Sequence, residues 1–145
     1  MGDPALRKVS KPVTQFDERL GELFDDLKET LDRAEGLGLA AVQVGVLKRA
    51  FIIVLDGKTY EIANPVIISQ KGSLTDNEGC LSVEGFRGMV KRAQKVEIEY
   101  CDRKGNIQSL KAEDYDARAV LHEYDHLEGV LFCDKMTEKI ENKKA

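Results

Sequence analysis

The stretch "KVEIEYCDRKGNIQSLKAEDYDARAVLHEYDHLEG" (residues 95–129) changes its period halfway along. From Lys95 to Asp102 apolar and polar residues alternate, the signature of a half-buried strand. "RKGN" reads as a turn, and "IQSLKAE" returns from it, which makes a hairpin. From Asp114 to Leu127 the apolar spacing becomes helical. Asp114 or Asp116 is available as the cap, and Gly129 as the stop.

Upstream, "AFIIVLD" (50–56) reads as a buried strand, and "GK" turns it into a second arm, "TYEIANPVII" (59–68). Before these, "FDERLGELFDDLKETLDRAEG" (16–36) places Phe16, Leu20, Leu23, Phe24, Leu27 and Leu31 on one helical stripe. Thr14 is its expected cap and Gly36 its expected stop. The order helix, strands, helix predicts an α+β fold with mostly antiparallel sheets, an N-terminal helix and a second helix bearing residues 122–126. The 145 residues are expected to form a single domain, with 137–145 a flexible or short helical tail.

The net charge of −4 argues against a nucleic-acid surface, which would need a basic face. No apolar run approaches the roughly 18 residues of a membrane span. "MGDPALRKVSK" has no apolar signal-peptide core, and Leu6 stands where a myristoylation signal needs Ser or Thr. Three cysteines make no paired framework and fit a reducing compartment. The expectation is a soluble, cytoplasmic protein.

"HEYDH" (122–126) holds both histidines of the chain. On a helix, His122 and His126 lie about 40° apart on one face and can reach one ion. Glu123 is rotated by about 100° from His122, beside that ion, where it can act as a general base. A catalytic metal site needs a third protein ligand. In the metzincin pattern HExxHxxGxxH the third histidine would fall on Phe132, which cannot ligate. In thermolysin-like proteases it is a downstream glutamate, but here Glu138 and Glu141 lie in a tail-like stretch. An upstream cysteine is the strongest remaining ligand type. Cys101 lies in an alternating strand and Cys133 follows an apolar run, so both read as small hydrophobes. Cys80 interrupts the strand pattern within "DNEGCLSVEGFRG", read as a loop, and is the preferred ligand. Cys80, His122 and His126 would leave one position open for water.

"GLGLAAVQVG" (36–45) follows a helix and lacks the third glycine of a dinucleotide loop, so a nucleotide site is rejected. An extended glycine-containing segment suits strand-like capture of a peptide instead.

Three segments in order, "GLGLAAVQVG", "EGCLS" (78–82) and "HEYDH", resemble the signature motifs of peptide deformylase. So do the flanks "DPALR" (3–7) and "RAQKVEIEYCDRKGN" (92–106), and the resemblance spans roughly residues 3–137. It implies a metal-dependent hydrolase that removes the N-formyl group from the N-terminal formylmethionine of new polypeptides and releases formate. It implies Cys80, His122 and His126 as metal ligands, with Fe2+ the native ion and Zn2+, Ni2+ or Co2+ able to substitute. It implies Glu123 as the acid/base, and Gln43 and the backbone N–H of Leu81 as donors to the developing oxyanion. Leu37 and Gly38 match cleft positions that pair with an extended peptide, and Arg87 an arginine that contacts the peptide beyond methionine. The implied partners are N-formylmethionyl peptides, nascent chains and, transiently, the ribosome. Glu84 and Lys91 stand where many relatives have proline, and Leu121 where many have glutamine. An HExxH metalloprotease or other metallo-hydrolase is the alternative, and a non-catalytic metal- or peptide-binding domain a third.

Around the site, Glu78 and Arg92 are candidates for a structural ion pair. Tyr124 and Leu127 read as core residues, and Asp125 as a solvated or supporting acceptor.

Overall fold

The alternating segment 95–101 and its return form the antiparallel pair β6 (Lys95–Cys101) and β7 (Ile107–Glu113), as expected. Asp102 shapes the turn between them: its Oδ1 accepts from the N–H of Lys104 at 2.9 Å and of Asn106 at 3.0 Å. The second predicted hairpin is also present, as β2 (Ala50–Leu55) and β3 (Lys58–Lys71). Asp56 and Gly57 both have positive φ, 51° and 75°, the two-residue turn whose twist suits a tight hairpin. The computed structural model describes residues 4–80, 83–130 and 136–141.

These strands and the short β1 (Gly38–Ala40) make one antiparallel sheet in the order β1-β2-β3-β6-β7. Helix α1 (Glu18–Ala34) covers one face, where Leu20, Phe24, Leu27 and Leu31 meet Leu39, Ala50, Ile52 and Ala63. Helix α2 (Asp114–Leu127) covers the other, where Ala117, Val120, Leu121 and Leu127 meet Phe51, Ile53, Ile62 and Ile98. Alternate residues of β2 thus feed two cores, as period-two geometry requires.

The helix ends differ from the sequence expectation. Asp17, not Thr14, caps α1, its Oδ1 accepting from the N–H of Arg19 at 3.1 Å and of Leu20 at 3.4 Å. A short acidic side chain next to the first turn satisfies orphan amides that Thr14 is too distant to reach. At the other end Glu35, rather than Gly36, takes the left-handed conformation, with φ of 53°. Neither Asp114 nor Asp116 caps α2; both lie in its first turn, and Asp114 N–H donates to the Gln94 carbonyl at 2.7 Å. Their charge still suits the positive end of the helix dipole. Gly129 follows α2 with φ of 72°, the expected stop.

Two segments read as non-strand are strands. The expected loop around Cys80 is β4 (Leu74–Cys80) and β5 (Val83–Arg92), antiparallel, with the register shifting between Glu78 and Cys80. The expected tail contributes β8 (Met136–Glu141), paired to β5 from Val90↔Met136 to Phe86↔Glu141; residues 142–145 lie outside the described residues. Together they form a second sheet, β4-β5-β8. Buried positions on this sheet include the charged Glu78 and Arg92, so hydrophobic alternation is absent. Backbone pairing that needs no apolar face leaves no period-two signal.

Candidate active site

Helix α2 presents its histidines to the smaller sheet. His122 and His126 are one turn apart, 8% and 1% exposed, with ring centroids 5.1 Å apart and planes at 73°. Burial, then the neighbouring His122 and Arg92, push His126 down to about 3, so it is a neutral imidazole at physiological pH. Neutral imidazole is the form that ligates a metal.

His122 is held by Glu78, 5% exposed on β4. The His122 Nδ1–H donates to Glu78 Oε1. That assignment of the proton leaves Nε2 unprotonated and able to ligate, as a carboxylate behind a metal-binding histidine does. The sequence-predicted Glu78–Arg92 pair is present and two-pronged: Arg92 Nε donates to Oε2 at 3.1 Å, and Nη2 to Oε1 at 2.5 Å. Burial alone would raise the Glu78 carboxyl, but His122 and Arg92 outweigh it and bring it down to about 2. Arg92 also donates to Asp125, so Asp125 is a buried partner of an arginine rather than a solvated group.

Arg118 completes this charged cluster, and the sequence reading missed it. Its Nη1 donates to Glu78 Oε2 at 2.9 Å. The available signal was its position, four residues before His122 on the same face of the helix.

Glu123 faces away from that cluster, toward β1. It is 6% exposed, and its Oε1 has no hydrogen-bond partner among the described residues. Burial pushes its carboxyl up to about 7, with His122 opposing. A carboxyl that exchanges its proton near neutrality suits a group that must both take and give one. Gly38 of β1 lies directly against it. Leu37, just before β1, is 48% exposed, and its carbonyl accepts from Val54 N–H at 2.7 Å. Within the described residues β1 pairs on one side only, with β2.

Gln43 follows β1 in a 3-10 turn, Ala41–Val44. Its Oε1 accepts from Ala40 N–H at 2.9 Å, which fixes the amide plane and makes Nε2 its donor end. The structure therefore brings His122, His126, Glu123 and Gly38 together, with Gln43 at the end of β1. Cys80 closes β4, and Arg87 lies within β5; the side chains of both, and all of Leu81 and Cys133, lie outside the described residues. Cys101 ends β6, half buried beside the α1 core. Leu127 is fully buried, whereas Tyr124 is half buried, with the Arg49 guanidinium 5.7 Å from its ring centroid.

The donor chemistry fits a divalent ion on three counts: a neutral buried imidazole, a second imidazole held by a carboxylate, and an unpartnered oxygen on Glu123, the residue after His122. Among the described residues no three His, Cys, Asp or Glu side chains form a complete ligand set. No described helix is long and apolar enough to cross a membrane.

The family model described as polypeptide deformylase matches residues 1–142. The chain is 50% identical to the peptide deformylase of Caldicellulosiruptor bescii over 148 aligned positions, covering 99% of this chain and 89% of that protein. It is 47% identical to that of Caldanaerobacter subterraneus, covering 94% and 86%. Among solved structures, the peptide deformylase of Legionella pneumophila superposes with a TM-score of 0.90 at 41% identity, covering 93% of this chain and 82% of that one. That of Thermotoga maritima does so with 0.90 at 36% identity, covering 93% and 92%.

Proposed function

The chain belongs to the polypeptide deformylase family, and we propose that Cys80, His122 and His126 hold its metal ion while Glu123 moves the protons of the reaction. The reaction is the hydrolytic removal of the N-formyl group from the formylmethionine of new polypeptides, releasing formate. Membership in the family sets aside the metalloprotease and binding-domain readings.

The observation that carries the assignment is the Glu123 carboxylate: buried, one oxygen unpartnered among the described residues, next to His122 on α2 and against edge strand β1. A divalent ion bound there supplies Lewis acidity to water and to the formyl oxygen. Fe2+ is the proposed native ion, because the resemblance implies it; a ligand set with one thiolate also accepts Zn2+, Ni2+ or Co2+.

Glu123 takes the proton of the attacking water and returns it to the departing amine as the C–N bond breaks. Gln43 Nε2 and the Leu81 N–H donate to the oxygen on which charge develops. Such donors are worth about 3–4 kcal/mol each at an oxyanion. The fixed Gln43 amide supports that role, because a donor already oriented needs no reorganisation during the reaction.

Leu37 and Gly38 receive the peptide. The outer edge of β1 offers main-chain groups to an extended chain, and glycine lets that backbone approach closely. Arg87 contacts the peptide beyond methionine. The enzyme works in the cytoplasm, in transient contact with the ribosome that presents the nascent chain.

The test is formate release from a formyl-Met peptide by protein purified anaerobically with Fe2+, beside Glu123→Ala. Formate from the wild type and almost none from the variant is expected. No formate from the iron-loaded wild type overturns the reading.

A further inference from the structure

Helix α2 carries a third buried polar residue in line with its histidines. Arg118 precedes His122 by four residues, as His122 precedes His126, so the three form one stripe. Arg118 is 3% exposed. A guanidinium so deeply buried needs its donors matched. Its two terminal nitrogens find their partners on the smaller sheet, while Nε has none among the described residues. Nη1 donates to Glu78 Oε2 at 2.9 Å and to the Val90 carbonyl at 2.8 Å, and Nη2 to the Leu74 carbonyl at 2.6 Å. Leu74 begins β4, Glu78 lies within it, Cys80 ends it, and Val90 belongs to β5.

We propose that Arg118 is a positioning residue for the metal centre: its planar fork sets strand β4, which ends in Cys80, against the helical turns that carry His122 and His126. This rests on the assignment of Cys80 as the third ligand. Two elements from different sheets and helices must then meet at one ion within a few tenths of an ångström. The Glu78–His122 and Arg92–Asp125 bonds also join the smaller sheet to α2, but through side chains at both ends. Side chains can follow a sliding strand by changing rotamer. Arg118 differs because it grips a main-chain carbonyl on each of two strands and so fixes the backbones themselves. The same residue neutralises Glu78, the carboxylate that orients the His122 ring.

The experiment compares Co2+-substituted holoenzymes of the wild type, Arg118→Lys, Arg118→Met and Val120→Ala. A chelator is titrated against each, and loss of the thiolate-to-cobalt charge-transfer band is followed at a temperature where circular dichroism shows folded protein. Arg118→Lys keeps the charge but cannot span three acceptors in one plane. It is expected to lose Co2+ at roughly 10- to 100-fold lower chelator concentration, with a weakened band, as supporting groups of a metal site do. Arg118→Met should show the same loss or more. Val120→Ala empties a fully buried site on the same helix, so it lowers thermal stability but leaves Co2+ retention and the band unchanged. Wild-type retention and band in Arg118→Lys overturn the proposal, whether or not Arg118→Met folds. So does a Val120→Ala protein that loses Co2+ to the same extent. A wild-type holoenzyme with no thiolate band instead overturns the Cys80 assignment, a failure visible before any Arg118 variant is compared.

Discussion

Gly38 and Glu123 are packed so closely that no side chain fits between them. A methyl group on Gly38 would stand 2.7 Å from Glu123 Oε2 and 3.0 Å from its Cγ. Because the contact involves the stem of the side chain as well as its tip, the whole carboxylate would have to move. Gly38→Ala should therefore lower kcat/KM for a formyl-Met peptide roughly 100-fold, the typical cost of misplacing a reacting group by about 1 Å. Its unfolding free energy should fall by only about 1–3 kcal/mol, the usual cost of overpacking a closely packed site, since Gly38 is not in a left-handed conformation. Steady-state kinetics and thermal melts on one preparation check both halves.

Glu123→Gln removes the proton acceptor while keeping the shape. Formate release should fall by roughly 10²- to 10⁴-fold, the usual contribution of a positioned acid/base. Metal content measured by atomic absorption should match the wild type, because the ligands are untouched. Retention of more than a tenth of the activity would rule Glu123 out as the base.

Glu78 makes stability depend on acid. Its carboxyl sits at about 2 in the folded chain against an ordinary value of 4.5, so the folded state favours the ionised form. The associated stabilisation is fully present above about pH 4.5 and is lost as pH falls towards 2. A shift of that size corresponds to roughly 3 kcal/mol. Urea unfolding of the wild type between pH 5 and 3 should show a falling midpoint. Glu78→Gln should be less stable at pH 6, with a flatter dependence over the same interval; an equally steep one would assign the acid sensitivity elsewhere.

Gly129 ends α2 under two constraints. Its φ is 72°, and an added Cβ would come within 2.5 Å of the Arg7 carbonyl oxygen and 2.8 Å of the Arg7 carbonyl carbon. Both obstacles are backbone, so no rotamer change relieves them. Gly129→Ala should destabilise by at least about 2 kcal/mol, seen as a lowered Tm. A variant that melts with the wild type would mean the N-terminal segment yields easily.

Local patterns were legible where a segment meets apolar surroundings. The β6–β7 hairpin and both helices follow from periodicity, because one face of each packs on an apolar core, while β2 follows from an unbroken apolar run, because both its faces are covered. The HExxH spacing likewise placed His122, Glu123 and His126 on one helix, since about 3.6 residues per turn permits nothing else at that separation. Strands β4, β5 and β8 were not legible. The face they turn to α2 includes charged Glu78 and Arg92, and pairing between backbones leaves no mark in side-chain order.

The sequence by itself therefore determined the secondary structure around the apolar cores, the two histidines with their neighbouring carboxylate, and, through three ordered motifs, the family. Only the tertiary structure decided what supports them: Glu78 behind His122, Asp125 and Arg118 in the same buried charge cluster, and Gly38 against Glu123. Those relationships join residues from 33 to 85 positions apart in the chain. Period and spacing act over a few residues. Which buried charge meets which is set by how two sheets close around one helix, where an unmatched ion would cost several kcal/mol.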